Sequence, residues 1–242
     1  MELQKYLDDT NGVLICPLEG GTALYRHNAD RPFKSASVIK TYILAYYLAT
    51  GCDLEREIEI PKKALIGTSI MTELKLTKAT VKELLVFMMS FSDNSATNAL
   101  LADAGFDALN SFCVNILETE HTVIGRKMLD FKAVERGEDN ITCLDDCLKA
   151  MRFVIAHPTG RDIMRRHKGV ERIMRYIYDP EIEYYGKGGN IPDVYNDIAV
   201  LRRPGEEYVF AGVLSYKCDP PKIKRLMGCT GLVALGAERP VV

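Results

Sequence analysis

Ser37-Val38-Ile39-Lys40 opens the most hydrophobic stretch of the chain, VIKTYILAYYLA over 38–49, and its reading decides the fold. The apolar spacing predicts a helix. Broken by Lys40 and by tyrosines, the run Val38 to Leu48 falls short of the ~20 residues that a membrane helix needs. Serine and lysine at i and i+3 share a helix face, so the amine reaches the hydroxyl. A serine is a poor nucleophile without a base, and an ammonium serves as one only when burial or a second cation lowers its pKa. A helix N-terminus also offers free N–H groups to a developing oxyanion. Alone the pair is a weak signal, since this composition gives it by chance about half a time per chain.

Working outward, Ser92-Asp93-Asn94 lies between the helical patterns VKELLVFMMSF (81–91) and SATNALLADAG (95–105). Such a turn points its first and third side chains one way and the middle one into the structure; on its own it reads as an N-cap. Lys187-Gly188-Gly189-Asn190 ends a strand-like run from Ile182 to Gly188. Glycines there let a substrate backbone approach, and the lysine both binds an anion and depresses a neighbouring amine. On its own this is a glycine-rich turn after an edge strand. All three motifs in this order, with intervals of 55 and 95 residues, arise by chance in only about a few per cent of such chains.

The flanks supply the architecture. A short helix to Leu7 precedes β-rich Gly12–Pro17 and Thr22–His27, a hairpin around Glu19-Gly20-Gly21. Helical periodicity runs from Val38 to Asn115, a polar loop from Ile124 to Asn140, and a further helix from Thr142 to His157-Pro158. Basic Arg161–Arg175, with apolar residues at 163, 164, 170, 173 and 174, reads as a solvated helical face. Strand-like runs at Ile182–Gly188, Asp197–Leu201 and Tyr208–Ser215 follow, the last two joined by a turn at Arg203-Pro204-Gly205-Glu206; amphipathic Lys222–Leu235 closes the chain. Strands at both ends and helices between predict an α/β (α+β) fold: one domain, 1–242, with an antiparallel sheet from both chain ends. The α/β lobe takes about 1–36 and 170–242, a helical lobe about 37–169, and a ligand cleft lies between them.

Composition narrows the function. The 242 residues are 47% hydrophobic and 26% charged, with net charge -2. That is globular rather than disordered, and it lacks the basic surface nucleic-acid binding depends on. The start has no basic-then-apolar secretory pattern, so either a cytoplasmic location or a leader already removed is expected. Seven cysteines, without CxxC or zinc spacing, predict reduced thiols and no metal. Cys143 and Cys147 share a helix face as packed small side chains. The four histidines (27, 121, 157, 167) are scattered and read as structural or exposed.

With these motifs on this strand and helix order, nearly the whole chain resembles the penicillin-recognising serine hydrolases, in particular the class A β-lactamase branch. The resemblance implies that Ser37 is the acylated nucleophile and Lys40 its base or proton relay. Ser92 would pass the proton to the leaving nitrogen, Asn94 would orient Lys40 and the substrate amide, and Lys187 would hold the substrate's anionic end. The oxyanion hole would be the backbone N–H groups of Ser37 and Asn190, with Gly188 and Gly189 lining the substrate strand. There are three departures from the family pattern. Gly188 replaces a hydroxyl residue that binds the carboxylate. Asn196 and Asp197 stand where the next strand usually opens with arginine, and Arg202 and Arg203 at its far end read as turn charges. Met128, in Arg126-Lys127-Met128-Leu129-Asp130, replaces the loop glutamate, and Asp130 is expected to pair with Arg126.

The expected function is therefore a serine hydrolase working through an acyl-enzyme on a small molecule, a β-lactam or a related amide or ester, without cofactor and with slow deacylation. The alternatives are a cytoplasmic peptidase or esterase on the same scaffold, or a sensor acylated by β-lactams.

Overall fold

The computed structural model describes residues 3–67, 69–167, 171–238, 240 and 241. A 3-10 turn, Leu3–Tyr6, leads to β1 (Asn11–Pro17) and β2 (Tyr25–His27). After β3 (Phe33–Lys34), a 3-10 turn at Ala36–Ile39 runs directly into α1 (Lys40–Ala49). β4 (Glu57–Glu59), α2 (Ile70–Glu73) and β5 (Lys78–Thr80) precede the helices α3 (Val81–Ser90), α4 (Asn94–Ala104) and α5 (Phe106–Asn115). Next come α6 (Phe131–Glu135), β6 (Ile141–Thr142), α7 (Leu144–Ala156) and α8 (Pro158–Arg165). A 3-10 turn at Ile173–Tyr176 leads to β7 (Glu183–Ile191), β8 (Val194–Arg202), β9 (Val209–Ser215) and α9 (Pro220–Ala234).

Both chain ends enter one antiparallel sheet of order β2-β1-β9-β8-β7, as expected. Val13 faces Val213 across the β1–β9 pair, and Lys187 faces Ile198 across β7–β8. Because side chains alternate along a strand, Val13, Ile15, Ala199, Leu201, Ala211 and Val213 point to one face. There they meet Ile223, Leu226, Met227 and Leu232 of α9. Leu14, Cys16, Ile198, Val200, Phe210 and Leu214 point the other way, into the larger core of α1, α3, α4 and α7. Coverage on both faces explains why the strands read as nearly unbroken apolar runs.

Local chemistry sets the helix starts. Thr80 and Glu83 form a reciprocal capping box at α3. The Asp93 carboxylate accepts from Ala96 N at α4, and Asp219 caps α9 ahead of Pro220. The Cys143 sulfur accepts from Asp146 N at the head of α7, and Cys147 lies buried beside the Tyr42 hydroxyl. Both are packed structural thiols, and all seven cysteines are free.

Four details differ from the sequence-based expectation. The helix holding Ser37 begins as a tighter 3-10 turn. The 124–140 loop contains α6. Two small sheets, β3–β6 and β4–β5, have strands of two or three residues, too short for alternation to show. The basic stretch 161–175 is not one helical face: α8 ends at Arg165, a 3-10 turn starts at Ile173, and Val170 lies outside the described residues.

Candidate active site

Ser37 stands in the 3-10 turn three residues before Lys40, a geometry in which i and i+3 eclipse. Neighbouring elements fix the turn. Ser35 N donates to Asn140 O at 2.9 Å, and Asn196 of β8 donates to Lys34 O at 2.7 Å and Ser35 O at 3.2 Å. Ala36 takes a left-handed φ of 46°, a bend that turns Ser37 toward the sheet edge. Gly189 of β7 meets it there: a Cβ on Gly189 would sit 2.4 Å from Ser37 N. Only glycine permits that backbone contact.

A cleft of about 520 Å³ opens along this contact, lined by Ser37, Ser92, Asn94, Lys187, Gly188, Gly189 and Asn190. Lys40 lies fully buried beneath it, tied to Ser92 and Asn94. All eight residues singled out from the sequence thus converge on one place. Ser92 has a left-handed φ of 56°, a strained conformation for a non-glycine residue. Lys40 Nζ holds its carbonyl at 2.6 Å and Asn94 Oδ1 at 2.8 Å. Asp93, between them, turns inward to Ser69 Oγ and Ala96 N, so it caps α4 while its neighbours face the amine.

Ser92 Oγ bridges two amines, 3.1 Å from Lys40 Nζ and 3.0 Å from Lys187 Nζ. Burial, followed by the nearby Lys187 charge, holds the Lys40 pKa well below the usual lysine range. Lys187 is pushed down to about 7, by burial first and then by Arg172. Ser92 O and Asn94 Oδ1 are pure acceptors, so a neutral Lys40 donates both its N–H groups to them. Its lone pair is then left for a hydroxyl proton.

Two basic residues that line the cleft were missed. Arg172, read as part of a solvated face, lies over Gly188: a Cβ there would meet Arg172 Nη1 at 2.5 Å. Its guanidinium donates to Asn196 O and, at 2.9 Å, to Asn190 Oδ1. The guanidinium absent from the head of β8 therefore arrives from the segment before β7. His167, read as structural or exposed, lines the same cleft, and its Nδ1 donates to Met89 O at 3.1 Å. Burial, with the Lys187 charge, lowers its pKa to about 4, so the ring is neutral near pH 7. No motif pointed to either residue; the only available signal was their place shortly before the lysine-bearing strand.

On the far side of Ser37 a smaller cavity is lined by Asn94, Met128, Leu129, Phe131, Asn190 and Ile191 among others. The expected Arg126–Asp130 ion pair is not formed. Arg126 bonds Asp139 at 2.7 Å, while Asp130 accepts from Ala133 N and caps α6. Asp130 is drawn to the helix start because free N–H groups await an acceptor there. Arg202, expected as a turn charge, bonds Glu183, and Arg203 donates to Leu235 O.

A hydroxyl held between two depressed amines, in a cleft with a second serine whose turn packs against the edge strand of this sheet, defines the class of penicillin-recognising serine enzymes. The family model described as the beta-lactamase enzyme family matches residues 2–232, and the chain belongs to that family. Among solved structures it is similar to the class A beta-lactamase from Mycobacterium abscessus, with TM-score 0.81 and 23% identity over 97% of each chain. The beta-lactamase from Sphaerobacter thermophilus DSM 20745 gives TM-score 0.79 and 23% identity over 93% of this chain and 90% of that one. A PBP-A point mutant in acyl-enzyme complex with penicillin G gives 0.80 and 22% over 94% and 89%. At these identities the likeness establishes the fold. No curated protein sequence matches the chain. Among the described residues, no helix is long and apolar enough to cross a membrane.

Proposed function

We propose that the chain is a serine hydrolase that forms an acyl-enzyme at Ser37 with a β-lactam or a related amide or ester, and that it hydrolyses this intermediate slowly. The observation that carries the reading is Ser92 Oγ, suspended between Lys40 and Lys187 in the cleft that holds Ser37. Neutral Lys40 takes the Ser37 proton as Ser37 Oγ bonds to the substrate carbonyl carbon. The proton passes through Ser92 to the leaving nitrogen as the C–N bond breaks, with Lys187 keeping the relay polarised. Ser37 N–H and Asn190 N–H receive the oxyanion, an arrangement supported by the Gly189–Ser37 backbone contact.

The substrate's anionic end lies against Lys187 and Arg172, so the guanidinium does the work that a hydroxyl at 188 does elsewhere in the family. Its acyl substituent lies toward Met128, Leu129, Phe131 and Ile191, an apolar wall. Water must then break the ester, which requires a base. Among the described residues the lining beside Ser37 holds no carboxylate. Asp130 caps α6, Glu138 pairs with Arg136, and Asp139 holds Arg126 and Lys34. Loss of general-base help costs about 10² to 10⁴ in rate.

The same observation favours a second reading, a sensor or sink whose acyl form is its working state. Intact-protein mass spectrometry over time after exposure to penicillins and activated esters separates the readings. A transient adduct supports the hydrolase and a lasting one the sensor. No adduct with any of them overturns both.

A further inference from the structure

Asp197 of β8 is fully buried opposite Gly188, its register partner on β7. Its Oδ2 accepts from Ile173 N at 3.0 Å, the residue directly after Arg172. Its Oδ1 is buried with no hydrogen-bond partner. The point where a Cβ on residue 188 would lie is 2.5 Å from Arg172 Nη1 and 3.0 Å from Asp197 Oδ1. The guanidinium and the orphaned carboxylate oxygen thus face each other across a space that Gly188 leaves empty. The Arg172 hydrogen bonds go instead to Asn196 O and Asn190 Oδ1, both neutral.

We propose that Asp197 is a positioning residue that sets how strongly the cleft holds an anionic substrate: it anchors the backbone beside Arg172 and, when ionised, competes with the substrate for the guanidinium. The inference rests on the reading of Arg172 as the anion anchor and extends it to a residue that never touches substrate. A buried carboxylate lacking one of its hydrogen bonds is expensive to keep charged. Burial accordingly raises the Asp197 pKa to about 6, against the opposing pull of Arg172, the Ile173 N–H and Lys187. The remaining titratable neighbour, the Tyr184 hydroxyl, is buried without a partner and raised well above its ordinary range, so it stays neutral. Below pH 6 the carboxyl is neutral and the guanidinium keeps its full charge for the ligand. Above pH 6 the carboxylate offsets part of that charge, and anion affinity falls.

The test compares benzylpenicillin with its neutral methyl ester, which share an acyl group, in stopped-flow acylation of the intact protein between pH 5 and 8. The readout is the ratio of their half-saturating concentrations, in which effects common to both cancel. For the natural chain that ratio should rise about tenfold through pH 6, the scale of one nearby charge. Asp197→Asn, which keeps an acceptor for Ile173 N, should remove this step and leave only the change near pH 7 from Lys187. A flat ratio in the natural chain, or an unchanged step in Asp197→Asn, overturns the inference. Arg172→Gln tests the underlying reading separately: if it shifts both substrates equally, Arg172 is not the anchor.

Discussion

Asn98 holds Met128 by both backbone groups, accepting from Met128 N at 2.7 Å through Oδ1 and donating to Met128 O at 3.2 Å through Nδ2. The amide of α4 thus fixes the loop backbone at the position where the resemblance to class A β-lactamases leads one to expect a glutamate. The side chain there can be changed without moving the main chain. Met128→Glu should therefore raise the deacylation rate by about 10² or more while leaving the acylation burst intact. Stopped-flow traces with a good β-lactam read both phases. Natural turnover already as fast as the burst, and unaffected by Met128→Glu, would show that another base serves.

Ser37→Ala should abolish covalent labelling by a fluorescent penicillin while the far-ultraviolet circular dichroism stays native. Lys40→Ala should slow labelling by about 10² to 10⁴ by removing the base. It should also lower stability, since Lys40 holds the strained Ser92 carbonyl. Full labelling of the serine variant would remove Ser37 from the mechanism.

The sequence alone suggests that a hydroxyl restored at position 188 would tighten binding of carboxylate substrates. In the structure the new Cβ would displace the end of the Arg172 side chain, which the proposed function makes the anion anchor. Gly188→Thr should therefore raise KM for benzylpenicillin. Paired with Arg172→Ala, which clears the space, the same change should recover part of the loss. Steady-state or burst kinetics on the single and double variants checks the sign.

His167 makes the fold sensitive to acid. Its unfolded pKa is the ordinary 6.5 and its folded value about 4, so below pH 6.5 the unfolded chain takes the proton first. Its contribution is full above that pH and is lost as pH falls through 4, a total of about 3 kcal/mol. Asp197, with its raised value, acts with the opposite sign and gains as pH falls through 6. The two nearly offset in the natural chain, so urea unfolding of His167→Gln should show stability rising as pH falls from 6 to 4, where the natural chain stays nearly level.

The paired chain ends, the helical middle and the motif residues were legible because each rests on local pattern: periodicity for Lys40–Ala49, turn chemistry around Gly20, spacing for the serines and lysines. Arg172 and His167 were not. Their importance comes from the chain wrapping the β7 edge, which brings a stretch that looks solvated into the cleft. Arg126 likewise chose Asp139 over the nearer Asp130, because α6 claims Asp130 as its cap. Local rules find which residues are chemically able; the closing of the loops decides which of them meet.

The pairing of β1 with β9, from Asn11 opposite Ser215 to Pro17 opposite Val209, joins strands that lie far apart along the chain. Strand β1 therefore leaves the ribosome long before its inner partner exists, and the central ladder closes only once β9 is free. Contacts so distant in sequence slow folding and prolong the exposure of unpaired strand edges. No nascent fragment that stops short of Val209 can complete the sheet on whose edge the cleft is built. The cleft, built on that sheet's edge, therefore forms only after β9 has joined β1.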